Sequence, residues 1–145
     1  MRKYRTRIPL PDENYTELLG SALYAYNYNY KFVIDNIVDS KDSDKDWYEL
    51  NSRNSKKNSV SRELLKIVDN DINNPIYNSF ISLRIIRDRI IHSLPCTSKD
   101  GVQILNTINS KKEQYYISKD LLIDFIKKNE ELTDLLYKFR DKLQN

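Results

Sequence analysis

Few side chains in this sequence can move a proton near neutral pH. The only histidine is His92, in the segment Leu83-Arg84-Ile85-Ile86-Arg87-Asp88-Arg89-Ile90-Ile91-His92-Ser93. An imidazole changes charge near neutrality, and a guanidinium is permanently charged and forks onto phosphate oxygens. Side by side they form a minimal kit for cutting a phosphodiester without a metal. His92 would manage the 2′-hydroxyl or leaving-group proton, and Arg87 would stabilise the charge that builds on the phosphorus oxygens. Asp88 precedes His92 by four positions, a spacing at which helical neighbours touch, so its carboxylate is expected to hydrogen-bond the imidazole and fix its tautomer. Arg84, Asp88 and His92 share this row, and the negative end of the helix dipole favours imidazolium there. Arg84 and Arg89 suit either guidance of RNA or plain solvation and ion pairing. Arg87 falls instead among Leu83, Ile86, Ile90, Ile91 and Leu94, an apolar sector where a charge is costly unless paired or placed at a special surface. Arg87 and His92 lie about 140° apart around a regular helix. Convergence on one phosphate needs a distorted helix end near Pro95, or a second subunit closing the groove.

Other chemistries are excluded by what the sequence lacks. Two glycines, Gly20 and Gly101, cannot build a glycine-rich phosphate loop, and neither nucleotide fingerprint occurs. One His and one Cys cannot make a Cys/His zinc site. Asp42, Asp44 and Asp46 resemble the start of a calcium loop, but Trp47 stands where glycine is required and Arg53 where the terminal Glu belongs. They read as a helix start or a solvated loop. No serine-hydrolase elbow is present. Cys96 follows His92 closely, but Pro95 breaks the helix between them and no orienting third group is evident for a Cys–His nucleophile. No metal or cofactor is expected.

The elements that must carry these groups read as mainly helical. The chain has 145 residues, the size of one domain, with 24 Lys+Arg against 21 Asp+Glu and a net charge of +3, which permits a polyanionic partner without requiring one. Residues 1–10 form a basic arm (Arg2, Lys3, Arg5 and Arg7 around Tyr4), either a solvated terminus or a contact to phosphate. Asp12 caps a long helix running to about Asp39, through Leu18, Ala22, Tyr26, Val33 and Ile37. Its alternating Tyr24, Tyr26, Tyr28 and Tyr30 hint at a strand, but helical period continues on both sides. These rings suit core, interface or base stacking. Trp47, Tyr48 and Leu50 form an apolar patch consistent with a short helix, followed by a loop with Arg53, Lys56 and Lys57. Ser59 caps a helix through Val68, and Asn74-Pro75 starts another, expected to continue through Leu94 until Pro95. Val102 to Ile108 and Gln114 to Ile117 predict a small hairpin, and Ser118 caps a final amphipathic helix through Phe139. The expected fold is all-α: one domain over residues 1–145, an up-and-down bundle of four main helices with a small β-hairpin before the last. One cysteine and no apolar run near the roughly 18 residues of a membrane span point to a cytoplasmic protein.

Arg87-Asp88-Arg89-Ile90-Ile91-His92 resembles the HEPN signature: an arginine, a polar residue, three further residues, then histidine, late in a helix of an α-bundle. The match is carried by helical placement, the polar residue directly after the arginine, the apolar flanks and the proline soon afterwards. The resemblance implies a two-fold homodimer in which both motifs line one cleft, and an RNase of toxin–antitoxin or phage-defence type. Arg87 and His92 would be catalytic and Asp88 supporting, with RNA as substrate and an antitoxin protein as a further partner. Some HEPN toxins carry a tyrosine two positions after the histidine, where a nucleotidyltransferase modifies them. This chain has Leu94 there, which argues against that style of regulation. Two other readings stand beside the endoribonuclease: a non-catalytic RNA- or nucleotide-binding or assembly module of the same fold, and a structural helical partner for another protein.

Overall fold

The computed structural model describes residues 6–52 and 59–144. Arg2, Lys3, Tyr4 and Arg5 of the basic arm, and Arg53, Lys56 and Lys57 of the polar loop, lie outside the described residues. The chain is mostly helical, with α1 Glu13–Asp39, α2 Trp47–Asn51, α3 Ser59–Ile67, α4 Pro75–Ile91 and α5 Lys119–Gln144. Strands β1 Leu94–Thr97, β2 Gln103–Ile108 and β3 Gln114–Ile117 form an antiparallel sheet in the order β1-β2-β3, placed before the last helix.

Local sequence sets most of these boundaries. Asp12 Oδ1 accepts from the Tyr15 N–H at 2.8 Å and starts α1, as expected. Asp46, from the acidic cluster, accepts from the Glu49 N–H and starts α2. Asn74 Oδ1 accepts from the Ile76 N–H at 2.9 Å, with Pro75 in the first turn of α4. Ser118 Oγ accepts from the Leu121 N–H at the start of α5. Ser59 is itself helical, so the position before α3 falls outside the described residues.

The core lies chiefly between α1 and α5. Tyr26, Phe80 and Phe125 are its largest fully buried side chains, joined by Ile34, Ile37, Leu83, Leu122, Leu132 and Leu136. α4 packs on α5, α3 spans from α1 to α4, and α2 sits on α1. The tyrosines of α1 follow helical geometry: Tyr26 is buried while Tyr24 and Tyr28 are exposed. Tyr15 joins α1 to the sheet. Its hydroxyl donates to the Ile117 carbonyl at 2.7 Å and accepts from the Leu105 N–H at 3.2 Å, bridging a paired position of β2 and β3.

Two expectations are corrected. The small β element has three strands, because residues 94–97 leave the helix and pair with β2, Leu94 opposite Asn106 and Cys96 opposite Ile104. α4 therefore stops at Ile91, and Leu94, expected on its apolar sector, is a 71% exposed strand residue. The physical reason is Pro95. It forbids helical geometry just before itself, and its missing N–H is harmless on an edge strand such as β1. Gly101, at φ +80°, allows the turn between β1 and β2.

Candidate functional site

His92 is the C-cap of α4, its backbone N–H still bonded to the Asp88 carbonyl at 3.0 Å. Beyond it the chain turns into β1, so the helix end and one face of the sheet enclose an open groove of about 410 Å³. Arg89 and His92 line it from the helix; Cys96, Asn106 and Gln114 line it from the strands. The pairing Leu94 with Asn106 and Ile108 with Gln114 explains the grouping, because paired residues share a face. His92 is exposed, so its ring is open to a ligand and to water. Arg89 Nη1 donates to the Ile108 carbonyl at 2.7 Å, which fastens the guanidinium beside the groove. Asn106 Oδ1 is shielded from solvent and has no hydrogen-bond partner among the described residues.

Arg87 opens elsewhere. It lines a second groove of about 460 Å³ on the α1 and α2 side of the molecule, with Tyr30, Lys31 and Trp47. Its guanidinium carbon stands 5.0 Å from the Tyr26 ring centroid, a cation–π geometry, and its Nη2 lies 2.9 Å from Asp88 Oδ1. This meets the expectation that a charge among apolar positions must be paired. Burial pushes the Tyr26 hydroxyl up to about 12, while the positive charge of Arg87 pulls it the other way. Arg87 Nε is shielded from solvent and has no hydrogen-bond partner among the described residues, a cost of about 1–3 kcal/mol for a buried donor.

Among the residues singled out from sequence, the fold brings Arg89 and His92 into one groove and sets Arg87 on another. The Asp88 carboxylate faces Arg87 rather than the His92 ring. A full guanidinium charge next door outcompetes an imidazole N–H four positions away. Arg84 Nη1 donates to Ser61 Oγ at 2.7 Å and ties α4 to α3, so the row Arg84, Asp88, His92 is not one functional surface. Sequence reasoning missed Asn106 and Gln114 beside His92. The alternation Ile104, Asn106, Ile108 carries the signal for the first, but only once β1 is known to pair there. It also missed Asn27 and Asn51 beside Arg87, whose helical spacing from Tyr30 and Trp47 was legible in principle.

Among the described residues, no group of three or more His, Cys, Asp or Glu side chains is arranged to hold a metal ion. No helix among them is long and apolar enough to cross a membrane. Compared with known proteins, the chain matches no family model, no curated protein and no solved structure.

Proposed function

We propose that this protein is a metal-independent endoribonuclease of the HEPN-like class its motif resembles, acting in toxin or antiviral defence in the cytoplasm, with its site completed between two copies. The observation that carries this reading is the exposed His92 at the end of α4, in an open groove that also holds Arg89. On this reading the four longer helices form an up-and-down bundle that presents the helix end.

The chemistry needs two roles. His92 takes the proton of a ribose 2′-hydroxyl as that oxygen attacks the adjacent phosphorus. The bond to the 5′-oxygen breaks, that oxygen is protonated, and a 2′,3′-cyclic phosphate remains. A guanidinium must face the phosphorus oxygens as charge builds. Arg89 is the nearby cation within one chain and suits positioning of the strand. Arg87 opens away from His92 on its own chain, so its catalytic role requires a second copy whose Arg87 approaches this groove. Exposed Leu94 and Ile108 on the groove wall, with exposed Ile91 nearby, support such pairing, since apolar side chains grouped at one place favour being covered.

RNA cleavage in EDTA tests the proposal. Wild type should cut and leave cyclic phosphate ends. His92→Ala should cut roughly 10²–10⁴-fold more slowly, and Arg87→Ala roughly 10²–10³-fold more slowly. Arg89→Ala should raise KM more than it lowers kcat. Equal cutting by all of them refutes the assignment. A specific observation favours the second reading, a non-catalytic RNA- or nucleotide-binding module: Arg87 and His92 line separate grooves of one chain. That reading predicts binding without turnover.

A further inference from the structure

We infer that Asn106 is the positioning partner of His92: its Oδ1 accepts from the Nδ1–H of the imidazole, which fixes the tautomer and leaves Nε2 as the proton acceptor. As a role in cleavage this rests on the nuclease reading above; as a bond between two side chains it does not. The sequence builds the juxtaposition from a helix end and a strand. The His92 N–H bonds to the Asp88 carbonyl and the Ser93 N–H to the Ile90 carbonyl. The backbone that carries the imidazole is therefore held, and rotations about χ1 and χ2 remain to aim the ring. Two residues further on, Leu94 of β1 pairs with Asn106 of β2. This register brings Asn106 into the groove that His92 lines from the helix.

A purely structural role does not account for Asn106. Asn is disfavoured inside strands, and β2 is the central strand of the sheet. Its Oδ1 is shielded from solvent with no hydrogen-bond partner among the described residues, so water does not satisfy it. An acceptor in that state costs stability unless a donor of the groove turns onto it. Three other donors line the groove beside His92. Arg89 already spends Nη1 on the Ile108 carbonyl, the Cys96 thiol is a weak donor, and the exposed Gln114 amide is served by water. The imidazole has more to gain. A neutral ring carries one donor and one acceptor nitrogen, and the bond made by the first decides what the second can do. Asp88 is engaged with Arg87 at 2.9 Å, so a fixed tautomer needs a different acceptor. Nδ1 is the ring nitrogen nearer the backbone and Nε2 the outer one. A shielded acceptor on the groove wall suits the first and leaves the second to face a substrate. An amide also keeps the pair neutral, so the approach of an anionic phosphodiester is not opposed.

His92 is the chain's only histidine, so its ring can be read directly by nitrogen NMR of the full, isotope-labelled chain at mildly alkaline pH. The wild-type ring should carry its proton mainly on Nδ1, the reverse of the Nε2 preference of a free histidine side chain in water. Asn106→Leu should return the ring to the free-histidine pattern. It should also lower kcat for RNA cleavage by about tenfold, the worth of one hydrogen bond, with KM unchanged. Asn106→Asp, whose carboxylate also accepts, should restore both the Nδ1 pattern and most of kcat. Gln114→Leu should leave the ring pattern as in wild type. Circular dichroism checks that each variant is folded, and Asn106→Val, well suited to a strand, repeats the test should Asn106→Leu disturb the sheet. A wild-type ring protonated mainly on Nε2, an unchanged pattern in Asn106→Leu, or loss of the pattern in Gln114→Leu overturns the assignment. The two readings fail separately. An Nδ1–H ring in a chain that leaves RNA intact keeps the bond and refutes the nuclease. RNA cleavage by a chain with an Nε2–H ring keeps the nuclease and refutes the bond.

Discussion

At the scale of single residues, buried amides mark where this chain is specified and where it is not. Asn29 and Asn129 are both fully buried between α1 and α5. Asn29 Nδ2 donates to the Asn129 carbonyl at 2.8 Å and to its Oδ1 at 3.0 Å, and the Thr133 hydroxyl donates to Asn29 Oδ1 at 2.6 Å. Asn129 Nδ2 donates to the Phe125 carbonyl. A satisfied network of this kind fixes how two helices meet, because sliding either one strands several polar groups. Asn36 is equally buried, yet neither of its amide atoms has a hydrogen-bond partner among the described residues. The two sites should respond oppositely in urea unfolding. Asn29→Ala should lower stability by about 1–3 kcal/mol, since it leaves the buried Asn129 Oδ1 without its donor. Asn36→Leu should raise it by about 1 kcal/mol, since it removes an unmet polar cost with a side chain branched at the same atom. Neither amide is legible from sequence as a core residue. Asn ordinarily reads as solvated, and only the partner across the seam reverses that.

At the scale of elements, helix starts were readable and one helix end was not. Asp12, Asn74 and Ser118 each cap the helix their position implies, because an N-cap is a local bond over two or three residues. The end of α4 depends on pairing with β2, a contact distant in sequence. Thus the helix reading of Leu94 failed, and β1 went unseen. The same distance effect decides the site. Spacing along α4 correctly set Arg87 apart from His92, whereas the Asp88–His92 bond was lost to a closer competitor. The cap at Asp12 also has a pH consequence. The Tyr15 N–H, and then Lys119 at 3.1 Å, hold its carboxyl below the ordinary value of 3.8. A depressed carboxyl stabilises the fold above its unfolded pKa, and that contribution disappears as pH falls through the folded value. Asp12→Asn should therefore flatten the acid limb of stability against pH below about 4, while the wild-type curve stays steeper there. Identical limbs for both proteins would show that the cap does not contribute in this window.

At the scale of the whole molecule, a single chain faces its two candidate catalytic groups into different grooves, so the proposed reaction requires a second copy. Composition narrowed the candidate chemistry, since the chain has one histidine and no glycine-rich loop. What sequence could not supply is the relation between copies, since the residues that would cover Ile91, Leu94 and Ile108 belong to no local pattern. If His92 of one copy works with Arg87 of another, two differently disabled chains must repair each other. The most direct measurement mixes His92→Ala and Arg87→Ala chains, lets the subunits exchange and follows RNA cleavage. In a mixed pair, one site loses both groups and the other keeps both. With random exchange of equal amounts, cleavage should recover to about a quarter of the wild-type rate, although each variant alone cuts at least about a hundredfold more slowly. No recovery from a mixture that has demonstrably exchanged subunits would contradict a shared site.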